Sequence, residues 1–255
     1  MNNKEIEKSR YNDDSIKKLK SRSIEDLKII GADNFPIYLR PPYLAYHNVI
    51  KTYVAKKNKI SQLDLCCGDG IHSFTGAIEG ADVIALDFAE KSIEICRKRN
   101  SILNLQVEFR TSDVQTLAFE DKTFDIVTCV GSLSYLDNSI LFTEVYRVLK
   151  NGGMFLCLDS FNYNPIYRLN RFIHYLRGNR TYSTLTRMPN NKTIQLLEKK
   201  FINVKVSYFG IFIFIVPLLN IFISQDKITS ILNRLDQYFC KLNRFAFKVV
   251  IEATK

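Results

Sequence analysis

Three aspartates in the first half of the chain share a setting suited to a nucleoside. Asp64 leads into the glycine turn Gly68-Asp69-Gly70, Asp87 closes the next apolar run, and Asp113 follows one unit later. An ionised carboxylate only accepts hydrogen bonds, so Asp87 matches the two hydroxyls of a ribose and Asp113 an adenine amino group, with Val114 adding backbone polar groups. Glycine is needed where the backbone takes unusual angles or must approach a ligand closely. The helix expected after the turn would aim unpaired N–H groups at the same place. A fourth apolar run ends at Val130-Gly131-Ser132. Any one Asp after a strand is more often a cap or turn residue. Their recurrence at successive strand ends is what points to a ligand.

These residues need a sheet to hold them. Strands are expected over 60–65, 81–86, 105–110, 124–130 and 154–159, and helices over 73–79, 90–100 and 139–150, the last stopped by Gly152-Gly153. Strands of this apolar kind alternating with helices give a parallel sheet covered on both faces, and ligands bind beyond the carboxyl ends of such strands. Upstream, Ile16, Leu19, Ile24 and Leu27 suggest an amphipathic helix within 1–30. Pro36, Pro41 and Pro42 suggest an extended connector, and a helix is expected over 43–56. Downstream, residues 160–197 contain no Asp or Glu but do contain Arg168, Arg171, Arg177, Arg180, Arg187 and Lys192. Ile166, Leu169, Phe172, Ile173 and Leu176 lie on one helical face there. A helix over 192–200, a strand over 204–208 and a last strand over 245–253 complete the pattern. Between those strands lies an insertion with an apolar run over 209–223 and an amphipathic helix.

Composition limits the alternatives. With 46% hydrophobic residues among 255, the chain can fill a core, and wholesale disorder is excluded. The six cysteines include no Cys-x-x-Cys pair and sit mostly in apolar runs, the usage of reduced core thiols in the cytoplasm. The three histidines share no ligand spacing, so no metal is expected. The polar start is unlike a signal peptide, and Pro217 and Asn220 interrupt the one long apolar run, which is short of the roughly 20 residues of a membrane span. A net charge of +10 fits a phosphorylated substrate, an anionic membrane surface or nucleic acid.

Taken together, the motifs resemble those of the class I S-adenosylmethionine (SAM)-dependent methyltransferases. Leu63-Asp64-Leu65-Cys66-Cys67-Gly68-Asp69-Gly70 resembles their first motif, and Ala85-Leu86-Asp87-Phe88-Ala89 their ribose-binding strand end. Thr111-Ser112-Asp113-Val114 resembles the adenine-contacting acid with its neighbour. Phe124-Asp125-Ile126-Val127 resembles the fourth strand, and Glu144 to Gly153 the helix and turn before the fifth. Cys66 stands where the first glycine of the motif usually does. Cysteine is small, and Leu-Asp-Leu-Cys-Cys-Gly resembles the version in quinone-biosynthesis methyltransferases.

The resemblance implies a Rossmann-like seven-stranded α/β sheet with helices on both faces and an antiparallel last strand. The resemblance covers about residues 59–160 plus the final strand; with the rest of the pattern, the chain is expected to divide into a helical cap over 1–58 and a methyltransferase domain over 59–255, with an acceptor-side elaboration over 160–243. The resemblance implies SAM held by Asp64, Cys66, Gly68, Gly70, Asp87, Phe88, Asp113, Val114 and Val130. The leader over 1–58 is a candidate lid.

The acceptor side is less legible. His72, Tyr135 and His174 are candidates for a catalytic proton acceptor, and none stands out. Ser132, Arg168 and Arg171 are candidates for acceptor binding, since arginine presents a fixed fork of donors to phosphate. The acid-free segment is similar to methyltransferases found with bacterial surface-polysaccharide genes, which implies a hydroxyl of a nucleotide- or lipid-linked sugar as acceptor. A quinone or lipid acceptor is the alternative. The apolar insertion suggests peripheral contact with the inner face of a membrane. Gly131-Ser132-Leu133-Ser134 replaces the Asp/Asn-Pro-Pro-Tyr/Phe motif of base-flipping amino methyltransferases, which argues against nucleic acid. A nicotinamide-dependent dehydrogenase would share the glycine turn and Asp87, but not Asp64 with Asp113. A non-catalytic module would have no physical need for Asp87 and Asp113.

Overall fold

The structure, a computed structural model, describes residues 3–178 and 180–255. The chain begins with α1 (Asn3–Ser21), α2 (Ile24–Lys28) and α3 (Arg40–Ala55). The strands and helices of the sheet layer follow: β1 (Ser61–Leu65), α4 (Phe74–Ile78), β2 (Asp82–Asp87), α5 (Glu90–Leu103), β3 (Val107–Thr111), β4 (Phe124–Val130), α6 (Asn138–Val148) and β5 (Leu149–Ser160). Then come α7 (Pro165–Leu176), α8 (Tyr182–Thr186), α9 (Asn191–Glu198), β6 (Asn203–Phe209), α10 (Val216–Leu219), α11 (Gln225–Tyr238) and β7 (Lys248–Thr254).

The strands form one seven-stranded sheet in the order β3-β2-β1-β4-β5-β7-β6. β1 to β5 are parallel, whereas β7 runs antiparallel to both β5 and β6. The expected sheet, with its antiparallel last strand, is therefore present. Its order reverses between β1 and β4, which places the switch point, and with it the ligand crevice, at the carboxyl ends of these two strands.

Alternation along β1 shows how the sheet serves both layers. Leu63 and Leu65 face a core with Phe124, Val127, Phe142 and Phe155, covered by α6 and α9. Gln62 and Asp64 point to the opposite face, where Tyr46, Ile50, Phe74, Val83 and Ile93 form the second core under α3, α4 and α5. α3 is thus a covering helix of the sheet, whereas α1 and α2 lie over α5. Buried Arg99 of α5 ties the leader down, donating from Nη1 to the carbonyls of Leu27 and Ile29, each at 2.7 Å.

Several local expectations are corrected. Pro41 and Pro42 do not make an extended connector: they occupy the first turn of α3, where a missing N–H is harmless and the fixed φ suits the helix. Gly152 and Gly153 do not stop a helix. α6 ends at Val148, β5 already begins at Leu149, and the glycines sit in a register shift between β5 and β4. The single amphipathic helix expected from Ile16, Leu19, Ile24 and Leu27 is two helices, α1 and α2; of these four residues Leu27 is buried and Ile24 exposed, and the most buried members of α1 are Glu7 and Ser15. The apolar face of α7, whose direction the spacing left open, turns outward. Ile166, Leu169, Phe172, Ile173 and Leu176 are exposed, and Arg171 is the buried member. The insertion buries Val216, Ile228 and Leu232 as a small satellite core, leaving Leu218, Ile221 and Phe222 exposed. No helix among the described residues is long and apolar enough to cross a membrane.

Candidate active site

The carboxyl ends of β1, β2, β3 and β4 open into a cavity of about 580 Å³, within the range usual for small-molecule sites (roughly 300–1,000 Å³). Asp64 lies at its floor, only 2% exposed. Its Oδ1 accepts from Thr128 Oγ1 at 2.7 Å and its Oδ2 from Ser73 Oγ at 2.6 Å. Burial nevertheless dominates and pushes its carboxyl up to about 6.

The turn after β1 explains the cysteine. Cys66 has φ +54°, in the left-handed region that favours glycine. The backbone thus keeps the glycine conformation and carries a thiol there. Burial pushes that thiol well above its ordinary range, so it is a neutral wall of the cavity. Gly68 has φ +56°, and a Cβ there would meet nothing within 4 Å, so its backbone is bare toward the cavity. Gly70 does not line the cavity. A Cβ there would crowd Cys96 Sγ at 3.0 Å, so this glycine shapes the turn by packing.

Asp87 and the glycine turn hold each other. Asp87 Oδ2 accepts from the Gly68 N–H at 2.8 Å, and Oδ1 from the Ala89 N–H at 2.9 Å. Each oxygen keeps a second lone pair for a ligand hydroxyl. Burial raises the carboxyl above its ordinary range, against the pull of these N–H groups. Phe88, Asp113, Val114, Val130 and Ser132 also line the cavity. Among the residues expected to hold the cofactor, only Gly70 stays out of it.

The leader closes the other side through side chains that sequence reasoning missed. Lys4 of α1 pairs with Asp113, and Lys8 with Glu90 at 2.6 Å. Lys18 and Arg22 reach Asp69 at 3.1 and 3.0 Å. Burial would raise the Asp69 carboxyl, but Lys18, Arg99 and Arg22 outweigh it and hold it below the ordinary range. Glu7 and Tyr11 line the cavity, with the Tyr11 ring edge-on to Phe88 at 6.2 Å and to Tyr135 at 5.7 Å. Phe35 and Tyr43 stack at 3.8 Å between centroids, and Tyr43 stacks on His72 at 5.4 Å. No local signal in the sequence marks these positions, because distant packing brings them in.

His72 and Tyr135 line the cavity, whereas His174 does not. His72 Nδ1 is hydrogen-bonded to His47 Nε2 at 3.2 Å, and His47 Nδ1 to Thr75 Oγ1 at 2.6 Å. Burial holds His72 down to about 3 and His47 to about 4, so both rings are neutral near pH 7. Arg168 is exposed on α7. Arg171 is buried and donates to the Thr184 carbonyl at 2.9 Å and the Tyr167 hydroxyl at 3.1 Å. Neither reaches the cavity. From the same acid-free segment, Arg187 does, with Ser183 and Thr184 of α8, and Arg180 donates to the Tyr135 hydroxyl at 2.5 Å.

A carboxylate with free lone pairs beside a bare glycine backbone, an acid at the next strand end and a buried acid under the turn make an arrangement suited to an adenosyl ligand. Comparison with known proteins agrees. Residues 63–153 match the family described as "Methyltransferase domain". The chain is 35% identical over 115 residues to a demethylmenaquinone methyltransferase of Lactococcus lactis, covering 43% of this chain and 46% of that protein. It is 33% identical over 104 residues to a ubiquinone biosynthesis O-methyltransferase of Bordetella parapertussis, covering 40% and 43%. The chain therefore spans a little under half the length of these relatives. In three dimensions it resembles phosphoethanolamine N-methyltransferase 2 of Haemonchus contortus, solved with S-adenosylhomocysteine. The TM-score is 0.58 at 19% identity, over 84% of this chain and 52% of that one, a likeness of fold. Residues 63–153 thus match a methyltransferase domain, set in a seven-stranded sheet of the class I methyltransferase fold.

Proposed function

We propose that the protein transfers a methyl group from SAM to a hydroxyl on a ring-bearing, lipophilic small molecule of the quinone-precursor or lipid kind. The observation that carries this reading is the parallel stack of Phe35, Tyr43 and His72 in the cavity wall. Flat, largely apolar walls suit a planar ring. The named quinone methyltransferases among the relatives support it.

When bound, SAM supplies a methyl group already activated by a positive sulfur. The residues of the chain then have to hold, align and exclude water. In this reading Asp87 and the Gly68 N–H hold the ribose end, Asp113 and Val114 the adenine end, and Asp64 the methionine end. α1 would shut the cavity from above through Lys4, Glu7 and Tyr11. The acceptor ring would lie against Tyr43 and His72, with Ser132 and Tyr135 beside its hydroxyl. Burial makes His72 too weak a base to drive the reaction, so a readily ionised phenolic hydroxyl suits this site better than an alcohol.

A second reading, a hydroxyl of a nucleotide- or lipid-linked sugar, is favoured by Arg187 together with Ser183 and Thr184, a donor set suited to a phosphate. Incubation with methyl-labelled SAM and two acceptor panels, catecholic quinone precursors and sugar nucleotides, separates the two. Label in the phenolic panel alone supports the first reading, and label in the sugar panel alone replaces it with the second.

A further inference from the structure

We infer that the outward face of α7 docks the protein on an anionic membrane surface and sets the cavity mouth beside it. The inference goes beyond the proposed reaction, and only its link to acceptor entry rests on that reading.

α7 is built inside out for a water-exposed helix. Its apolar residues Ile166, Leu169, Phe172, Ile173 and Leu176 lie outside, Leu169 59% and Leu176 67% exposed, while Arg171 is 7% exposed. The inward face makes polar contacts. Asn164 caps the helix, accepting from the Tyr167 N–H, and donates to the Phe245 carbonyl at 3.0 Å. The Tyr167 hydroxyl donates to Ser160 Oγ at 2.9 Å. These bonds fix which face turns out, so the exposed stripe is a property of the folded state. A contiguous apolar stripe on a surface helix marks an interaction site.

Charge selects the occupant. At about 100° per residue, Arg168 and Arg177 fall on opposite borders of the stripe, and both are exposed. Residues 160–197 contain six Lys and Arg and no Asp or Glu. A second copy of the chain meeting this face would set arginines against arginines with no acid between them. An anionic bilayer meets both needs at once, taking the apolar stripe into the acyl boundary and the arginines among the headgroups. The arrangement is that of a helix lying in the interface plane, and none of it requires a span.

The site is one short connection away. α8 follows α7 and packs against it, Arg171 donating to the Thr184 carbonyl. Ser183, Thr184 and Arg187 of that same region line the cavity. A lipophilic acceptor taken up at α7 would therefore be one helix away from the cavity wall.

The test is co-sedimentation of the full chain, without acceptor, with vesicles of phosphatidylcholine alone and of phosphatidylcholine with phosphatidylglycerol. The expected result is at least tenfold stronger partitioning onto the anionic vesicles, weakened by salt. The pair Leu169→Glu and Leu176→Glu should lower it at least tenfold while SAM affinity and melting temperature stay unchanged. No binding to anionic vesicles at low salt would overturn the inference. So would binding that survives the α7 pair but is lost on Phe222→Glu, which would move the contact to the insertion. A stable dimer in sedimentation velocity, dispersed by the α7 pair, would replace the membrane with a second copy. Because no acceptor is present, failure here leaves the proposed reaction untouched.

Discussion

Asp87→Ala separates ligand binding from folding more sharply than any other change in the site. In the cavity its two oxygens each have one lone pair committed to a backbone N–H, of Gly68 and of Ala89, and one left for a ligand hydroxyl, which the proposed function gives to a ribose. A hydrogen bond to a charged group contributes about 1.5–3 kcal/mol, so two amount to about 3–6 kcal/mol. At about 1.4 kcal/mol per factor of ten, SAM affinity should fall roughly 10²–10⁴-fold. Stability should fall by less than the loss of two acceptors suggests, because the buried carboxyl is itself costly to ionise, as its raised pKa shows. Calorimetric titration with SAM and S-adenosylhomocysteine reads the affinity, and a thermal melt reads the fold. Asp87→Asn, which keeps one carbonyl acceptor, should lose affinity too and melt closer to the parent. An unchanged SAM affinity in folded Asp87→Ala protein would refute the ribose assignment.

Three further outcomes follow from the geometry. Burial raises Asp64 from 3.8 to about 6, so between those values the folded chain holds a proton that the unfolded chain has released. Its contribution makes stability fall as pH rises through that window, by about 3 kcal/mol in all. SAM affinity should rise over the same window with release of a proton, measurable by titration in buffers of different ionisation heat. Asp64→Asn should abolish both effects, and a pH-independent affinity in the parent would contradict the assignment. Gly76→Ala would drive a Cβ into Gln62 Oε1, whose side chain is buried and donates to Thr128. It should cost about 1–3 kcal/mol in denaturant unfolding, and a neutral result would mean that Gln62 has room to move. Under the sugar-phosphate reading, Arg187→Ala should raise acceptor KM about tenfold with SAM affinity intact, whereas Arg168→Ala should leave both unchanged. Equal effects of the two would remove Arg187 from the acceptor site.

The strand-end wall of the cavity was legible in the sequence because it is made of local units. Each strand carries its own acid or glycine at its own end, and the parallel sheet aligns those ends regardless of loop detail. Cys66 shows how far this reaches: the motif position could be read, but only its positive φ shows what a glycine would do there. The leader side of the cavity was not legible in the same way. Lys4, Tyr11, Phe35 and Tyr43 reach the cavity through packing of the leader over α5 and the sheet, and no short-range spacing records that. The acid-free segment was recognised as a unit, yet its arginines divide by tertiary context: Arg171 is buried in bonds to Thr184 and Tyr167, and Arg187 faces the cavity. Helical periodicity likewise found the apolar stripe of α7 but could not give its direction. Periodicity reports that a helix has two faces, while the partners on each side decide which one is buried.

The most direct test of the account is parallel calorimetric titration of the protein with SAM, S-adenosylhomocysteine and NAD(H). The account predicts saturable binding of the two adenosyl ligands, weakened by Asp87→Ala, and none of NAD(H). Binding of NAD(H) alone would contradict it and make the crevice a dinucleotide site.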